Sequence, residues 1–225
     1  MKISVLTLFP EMYDALNSGV LGKAIDKGCF EVEVFNIRDY SVDKHKRCDD
    51  YPYGGGAGMV MTPQPAHSAI LAADPNHECK RIYLSPKGKT LNQSIVESLA
   101  KEEKLLLFNG SYEGIDQRII DLDIDEELSI GDYVLTSGDL ASMVVINAVA
   151  RYIPSVLGSE ESTSEESFSQ GVLEYPHYTR PYEFCGLKVP DVLISGNHSA
   201  VNEWRKMQSY LITKDKRPDL LKREE

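Results

Sequence analysis

Four short apolar runs, separated by stretches with helical spacing, limit what this chain can become. KISVLTL (2–8) and FEVEVFN (30–36) alternate as strands, while RIYL (81–84) and KLLLFN (104–109) read as short buried strands. Between them, Pro10 opens a helix to about Asn17 and Thr62-Pro63 begins another over PQPAHSAILAA. SPKGKT reads as a turn, with Thr90 as cap, into the helix LNQSIVESLAKE. LASMVVINAVARYI (140–153) is apolar nearly all round and ends at Pro154, as a helix packed on a sheet would. Strands alternating with helices predict an α/β domain whose largely parallel sheet is covered on both faces. Ligands in such sheets lie beyond the carboxyl ends of the strands, so the loops after Leu84, after Asn109 and around Gly131 are where one is expected.

The alternation stops near residue 158. GSEESTSEESFSQG (158–171) is rich in Ser, Glu and Gly with almost nothing apolar, which reads as a flexible linker. The expected organisation is a sheet domain over 1–158, a linker over 159–171 and a small helical domain over 172–225. In the last, SAVNEWRKMQSYLIT (199–213) is an amphipathic helix and Pro218 begins a short terminal one. The apolar run before Pro10 is too short for a signal peptide or a membrane span, so a cytoplasmic protein without a membrane partner is expected. Cys29, Cys48, Cys79 and Cys185 are far apart, which disfavours a disulfide framework or a zinc site, and the five histidines show no metal spacing.

A net charge of −11 looks hostile to nucleic acid, but it is concentrated. Residues 111–166 hold thirteen Asp or Glu against Arg118 and Arg151, which accounts for the whole imbalance. Cations remain at Lys44, Lys46, Arg47, Lys80, Arg81, Lys87, Lys89 and along the tail. This argues against promiscuous nucleic-acid binding and leaves room for a structured RNA held by a few placed cations.

Gly88-Lys89-Thr90 is half of a phosphate-binding loop, but Tyr83 stands where the full motif needs glycine. YPYGGGAGMVM (51–61) has no strand-to-helix G-x-G-x-x-G, so NAD or FAD is disfavoured. Gly110, Gly114, Gly131 and Gly138 each lie where a missing side chain lets backbone polar groups approach a ligand. Turn geometry alone would explain any one of them. With Tyr112, Tyr133 and Leu135 they suggest a pocket for a flat base held by main-chain hydrogen bonds. Arg151, late in an otherwise apolar helix, needs an anionic partner. From composition alone, Glu165 and Glu166 are solvated linker residues.

LFPEMYDAL, DKHKRCDDYPYGGGAGMVM, YLSP, YEGID, IDEELSIGDYVLTSGDL, AVARYIPSVLG and YPHYTRP, in this order and spacing, closely resemble the bacterial tRNA (guanine-N1)-methyltransferases of the knotted SPOUT class. The resemblance covers nearly the whole chain. It implies methyl transfer from S-adenosyl-L-methionine to N1 of the guanosine at tRNA position 37, next to the anticodon, which maintains the reading frame. It implies a deep trefoil knot near 84–88, 109–114 and 130–139, and a homodimer in which the partner's linker and C-terminal domain complete each site.

Carried over by motif, the implied cofactor contacts are Tyr83, Leu84, Pro86, Gly110, Tyr112, Gly114, Ile130, Gly131, Asp132, Tyr133, Val134, Leu135 and Gly138. The implied tRNA contacts are Lys46, Tyr53, Gly55, His177, Tyr178 and Arg180. Glu166 is the implied base for the N1 proton, standing where the family carries an aspartate, with Glu165 beside it. Arg151 is the implied partner of O6, and Glu113 is implied to bind substrate or a magnesium ion. Tyr51, Ala57, Ser137 and Ala141 also depart from the family pattern.

Overall fold

The computed structural model describes residues 1–157 and 166–222. The chain divides into two compact units, Met1–Gly158 and Ser159–Glu225. The first is built on a five-stranded sheet of order β2-β1-β6-β5-β7, with β1 at Lys2–Thr7, β2 at Glu31–Asn36, β5 at Lys80–Thr90, β6 at Lys104–Asn109 and β7 at Glu126–Ser129. Every pairing is parallel, as the alternation predicts. A short antiparallel pair, β3 (Asp49–Asp50) and β4 (Val60–Met61), borders the glycine-rich loop.

The period-two alternation of the strands decides which face each side chain serves. Ile3, Val5, Ile82, Leu84, Leu105 and Leu107 form one core with α1 (Gly19–Asp26), α3 (Gln93–Leu99) and α5 (Asp139–Ala150). Leu6, Tyr83, Leu106 and Phe108 form the other with α2 (Pro63–Ala73) and α4 (Gln117–Asp123). Leu105, Leu106, Leu107 and Phe108 are all fully buried, the pattern of a central parallel strand covered twice. Beside them Arg81 Nε donates to Asp74 Oδ2 at 2.7 Å, and Arg81 Nη1 lies 3.8 Å from Asp123 Oδ1. The aliphatic stem of Arg81 therefore joins a core face while its charge is matched by carboxylates at the ends of α2 and α4.

The structure corrects the reading of SPKGKT. These residues continue β5 to Thr90, and the next helix is capped by Asn92, whose side chain accepts from Ile95 N. The turn reading missed a kink: β5 pairs with β7 up to Leu84, breaks register, and resumes at Lys89. Gly88 is what lets the strand come this close, since a Cβ there would lie 2.5 Å from the backbone of Glu127 and Leu128. Pro10–Asn17 is a 3-10 helix, followed by α1, which the two glycines of GVLGKAID hid. The acidic stretch from Gln117 to Ser129 likewise concealed α4 and β7.

In the second unit the principal element is α6 (His198–Lys216), opened by Asn197, whose side chain accepts from Ala200 N. Residues 158–165 of the expected linker, with Glu165, lie outside the described residues. Its end is hydrogen-bonded: Ser169 N and Oγ donate to Glu166 O, and Phe168 N donates to Val172 O. Leu173 N then donates to the buried Thr213 Oγ1 of α6 at 2.8 Å. A two-residue hairpin pair, β8 (Glu183–Phe184) and β9 (Leu187–Lys188), precedes α6. No helix among the described residues is long and apolar enough to cross a membrane.

Candidate functional site

At the carboxyl ends of β5, β6 and β7 lies a cavity of about 300 Å³. Three segments wall it, Tyr83–Lys87 on β5, Gly110–Ile115 after β6 and residues of Glu127–Gly138 from β7 onward, with Gln117 and Ile120 of α4 and Ala141 of α5. Each of the thirteen residues implied as cofactor contacts lines this cavity except Asp132, which is exposed. Glu113 lines it too. Sequence reasoning did not single out Ser85, Lys87, Ser111, Gln117 and Glu127 as lining residues, since SPKGKT reads as a turn and nothing local marks one acid or amide of 113–127 from the others.

The segments are stitched to one another by backbone. Gly138 N donates to Gly110 O at 2.9 Å, and Ser111 bridges Ser137. On the other side Glu113 N donates to Met59 O and Met61 N to Gly114 O, both at 2.9 Å, so the glycine-rich loop ends against the cavity wall. Gly110 is required sterically, because a Cβ there would lie 2.6 Å from the Tyr83 hydroxyl. Burial, and then the charge of Glu127 on the neighbouring strand, push the Tyr83 phenol up to about 12.

A polar network fixes the far wall. Asp139, fully buried at the start of α5, accepts from Thr7 Oγ1, from the Tyr13 hydroxyl at 3.1 Å and from Ser137 Oγ at 2.7 Å. Asn109 extends it, donating to Leu6 O and the Tyr13 hydroxyl and accepting from Ser142 Oγ. Burial and the Asp139 charge drive the Tyr13 phenol far above its ordinary range. Two polar atoms in the cavity wall differ from these: Ser111 Oγ and Glu127 Oε2 are buried with no hydrogen-bond partner among the described residues.

Within the first unit, Glu113 lines this cavity and Arg151 does not. Arg151 caps the far end of α5 and lines a separate cavity with Met143, Asn147 and Leu16. Thirteen residue steps along the helix put it roughly 20 Å along the axis from Gly138. Glu166 belongs to the second unit, where it lines a cavity of about 430 Å³ with Tyr175, Arg205 and Tyr210, and Arg205 stacks 4.7 Å over the Tyr175 ring. Of the implied tRNA contacts, Tyr53 is fully exposed, Gly55 has φ 78°, and Lys46 pairs with Asp39 at 2.5 Å. In the second unit His177 Nε2 lies 2.8 Å from Glu174, Tyr178 packs 6.3 Å from Trp204, and Arg180 is exposed.

The family model described as tRNA (Guanine-1)-methyltransferase TrmD matches residues 1–223. The tRNA (guanine-N(1)-)-methyltransferase of Clostridium perfringens is 54% identical over 223 residues, covering 99% of this chain and 94% of its own. That of Alkaliphilus metalliredigens is 54% identical over 227 residues, covering 99% and 92%. That of Clostridioides difficile is 51% identical over 227 residues, covering 99% and 98%.

Proposed function

The chain belongs to the tRNA (guanine-1)-methyltransferase family, and from that premise we propose that it methylates N1 of the guanosine at position 37 of tRNA with S-adenosyl-L-methionine as donor. The observation that carries the reading is the cavity at the ends of β5, β6 and β7. Its glycine-lined wall lets main-chain groups face a flat base, and Ser111 Oγ and Glu127 Oε2, without a hydrogen-bond partner among the described residues, suit a polar ligand. When bound, S-adenosylmethionine supplies an electrophilic methyl group. The residues here bind and orient it: Tyr83, Leu84 and Pro86 from β5, Gly110, Tyr112 and Gly114 from the next loop, and Ile130 to Gly138 around the adenine.

The chemistry asks two things of the protein. Neutral guanine carries a proton on N1, which must leave as the new bond forms, and negative charge grows on O6. Glu166 takes the proton in our reading and Arg151 faces O6. A magnesium ion at Glu113 would draw its other ligands from water or substrate, since no group of three His, Cys, Asp or Glu gathers there among the described residues.

The wide separation of Arg151 from the cofactor cavity within one protomer supports a homodimeric site. On α5, Leu140 and Val144 stand half exposed, and Asn147 and Arg151 continue the same stripe at helical spacing. That stripe, apolar at Leu140 and Val144 and polar beyond, suits a second copy, which would bring its Arg151 and Glu166 to this cavity. The trefoil knot of the family is supported by the broken β5–β7 register and by the convergence of segments 84–88, 109–114 and 130–139 on one cavity. The tRNA is held, in this reading, by Lys46, Tyr53 and Gly55 in the first unit and His177, Tyr178 and Arg180 in the second.

The test is transfer of labelled methyl to an unmodified tRNA transcript with guanosine at position 37, against the same transcript with adenosine there. Transfer to the first alone is expected. Equal transfer to both would overturn the assignment of the target.

A further inference from the structure

Glu127 plays no part in the chemistry above, and its position is odd for a carboxylate. It lies on β7 in register with Tyr83, so both side chains fall on the same face of the sheet and both line the cofactor cavity. Its Oε2 is buried without a hydrogen-bond partner among the described residues. An unpartnered carboxylate oxygen in a cavity wall is costly unless a ligand supplies a donor or a positive charge. Among the other lining residues Lys87 and Gln117 carry donors but neither is hydrogen-bonded to this oxygen, and Tyr83, whose phenol burial and this carboxylate keep protonated, does not donate to it either.

Resting on the methyl-donor reading, we propose that Glu127 is a binding residue for a positive charge of the donor, either its sulfonium or its ammonium group. The carboxylate faces a cation in the bound state and so offsets its own desolvation. If that cation is the sulfonium, the interaction has a further effect. Methyl transfer moves the carbon from sulfur to guanine N1 and leaves the sulfur with its bonding pair as a neutral thioether, while the N1 proton goes to the base. The attraction is then lost, and the spent cofactor is held less tightly than the fresh one.

The experiment is calorimetric binding of three ligands to the full chain and to Glu127→Gln. S-adenosylmethionine carries both cations, S-adenosylhomocysteine carries the ammonium alone, and 5′-methylthioadenosine carries neither. We expect the variant to weaken S-adenosylmethionine about tenfold or more while leaving methylthioadenosine unchanged. Weakening of S-adenosylmethionine alone assigns the sulfonium; equal weakening of it and S-adenosylhomocysteine assigns the ammonium. Unchanged binding of all three, or equal loss across all three, overturns the proposal. Should Glu127→Gln fail to fold, Glu127→Asp, which keeps the charge but withdraws it by one methylene, is measured in its place and must show the same selectivity. A wild-type chain that binds none of the three overturns the methyl-donor reading itself, an outcome distinct from intact binding that is indifferent to Glu127.

Discussion

Thr7 and Asp139 stand 132 positions apart in the chain, and the Thr7 hydroxyl donates to Asp139 Oδ1 at 2.5 Å. This bond ties the end of β1 to the first turn of α5, and through Ser137 to the loop that walls the cavity at the strand ends. Asp139→Ala removes the acceptor shared by Thr7, Tyr13 and Ser137 and leaves two buried hydroxyls and one half-buried one to find other partners. A stability loss of about 2–4 kcal/mol is expected, read by denaturant titration, together with weaker cofactor binding. Tyr13→Phe, which removes one donor to Asp139 and the acceptor of one Asn109 N–H but leaves the carboxylate with Thr7 and Ser137, should cost less.

Gly88 should tolerate no side chain. In Gly88→Ala the new methyl meets the backbone of Glu127 and Leu128, which cannot turn aside as a side chain would. Loss of about 1–3 kcal/mol is expected, with the fluorescence-monitored melting temperature falling accordingly. A variant as stable as the parent would mean that the β5–β7 kink is not held by this close approach.

Acid should attack the Arg81 cluster. Burial alone would raise the Asp74 carboxyl, but hydrogen bonds from Arg81 and from the backbone of Glu78 and Cys79 outweigh it and hold Asp74 below the usual carboxylate range. Its folded form therefore binds protons less readily than its unfolded form. The stabilisation is present above about pH 4 and drains away as pH falls through the lowered native value. Asp74→Ala, leaving Arg81 buried without its nearest carboxylate, should cost about 3–5 kcal/mol at neutral pH and flatten that acid limb in pH-dependent unfolding.

Alkali should act at Tyr83. The folded phenol sits at about 12 against an ordinary 10.0, so its contribution is complete below pH 10 and lost as pH rises through about 12. Glu127→Gln removes one of the two causes, and the phenolate absorbance of Tyr83 should then appear at lower pH. An unchanged titration would separate the two side chains.

The proposed division of labour between protomers has its own signature. Glu166→Gln should lose most turnover and keep cofactor affinity, and Arg151→Ala should lower turnover more than affinity. Mixing Glu166→Gln with a Gly110→Val variant that cannot hold cofactor should restore activity to about a quarter of wild type, because half the dimers then contain one complete site of two. No recovery on mixing would place base and cofactor in the same protomer.

How much of this could be read beforehand differs from segment to segment. β6 and α2 were legible to the residue because KLLLFN is continuously apolar and because Pro63 marks a helix start. The cavity's location followed from the parallel order and the three loops beyond it. β5 was cut short because Pro86 and Gly88 read as a turn, when they serve a kink between two stretches of pairing that no local rule distinguishes. Glu127 was invisible for a related reason. In DIDEE it is one acid among several, and its burial depends on which neighbour it meets across β5. Asp139 was equally hidden, since its partners Thr7 and Tyr13 lie at the other end of the domain.

The strand order β2-β1-β6-β5-β7 has a bearing on how the protein is made. A ribosome delivers β1 first, yet β1's inner neighbour β6 begins about a hundred residues later, and the carboxylate that receives Thr7 arrives later still. While the chain is emerging, one edge of β1 and the hydroxyls of Thr7 and Tyr13 must wait in water for partners not yet synthesised. Within the first unit the cavity is thus walled late, and completion of α5 marks the moment at which the nascent chain first holds all the segments that line it.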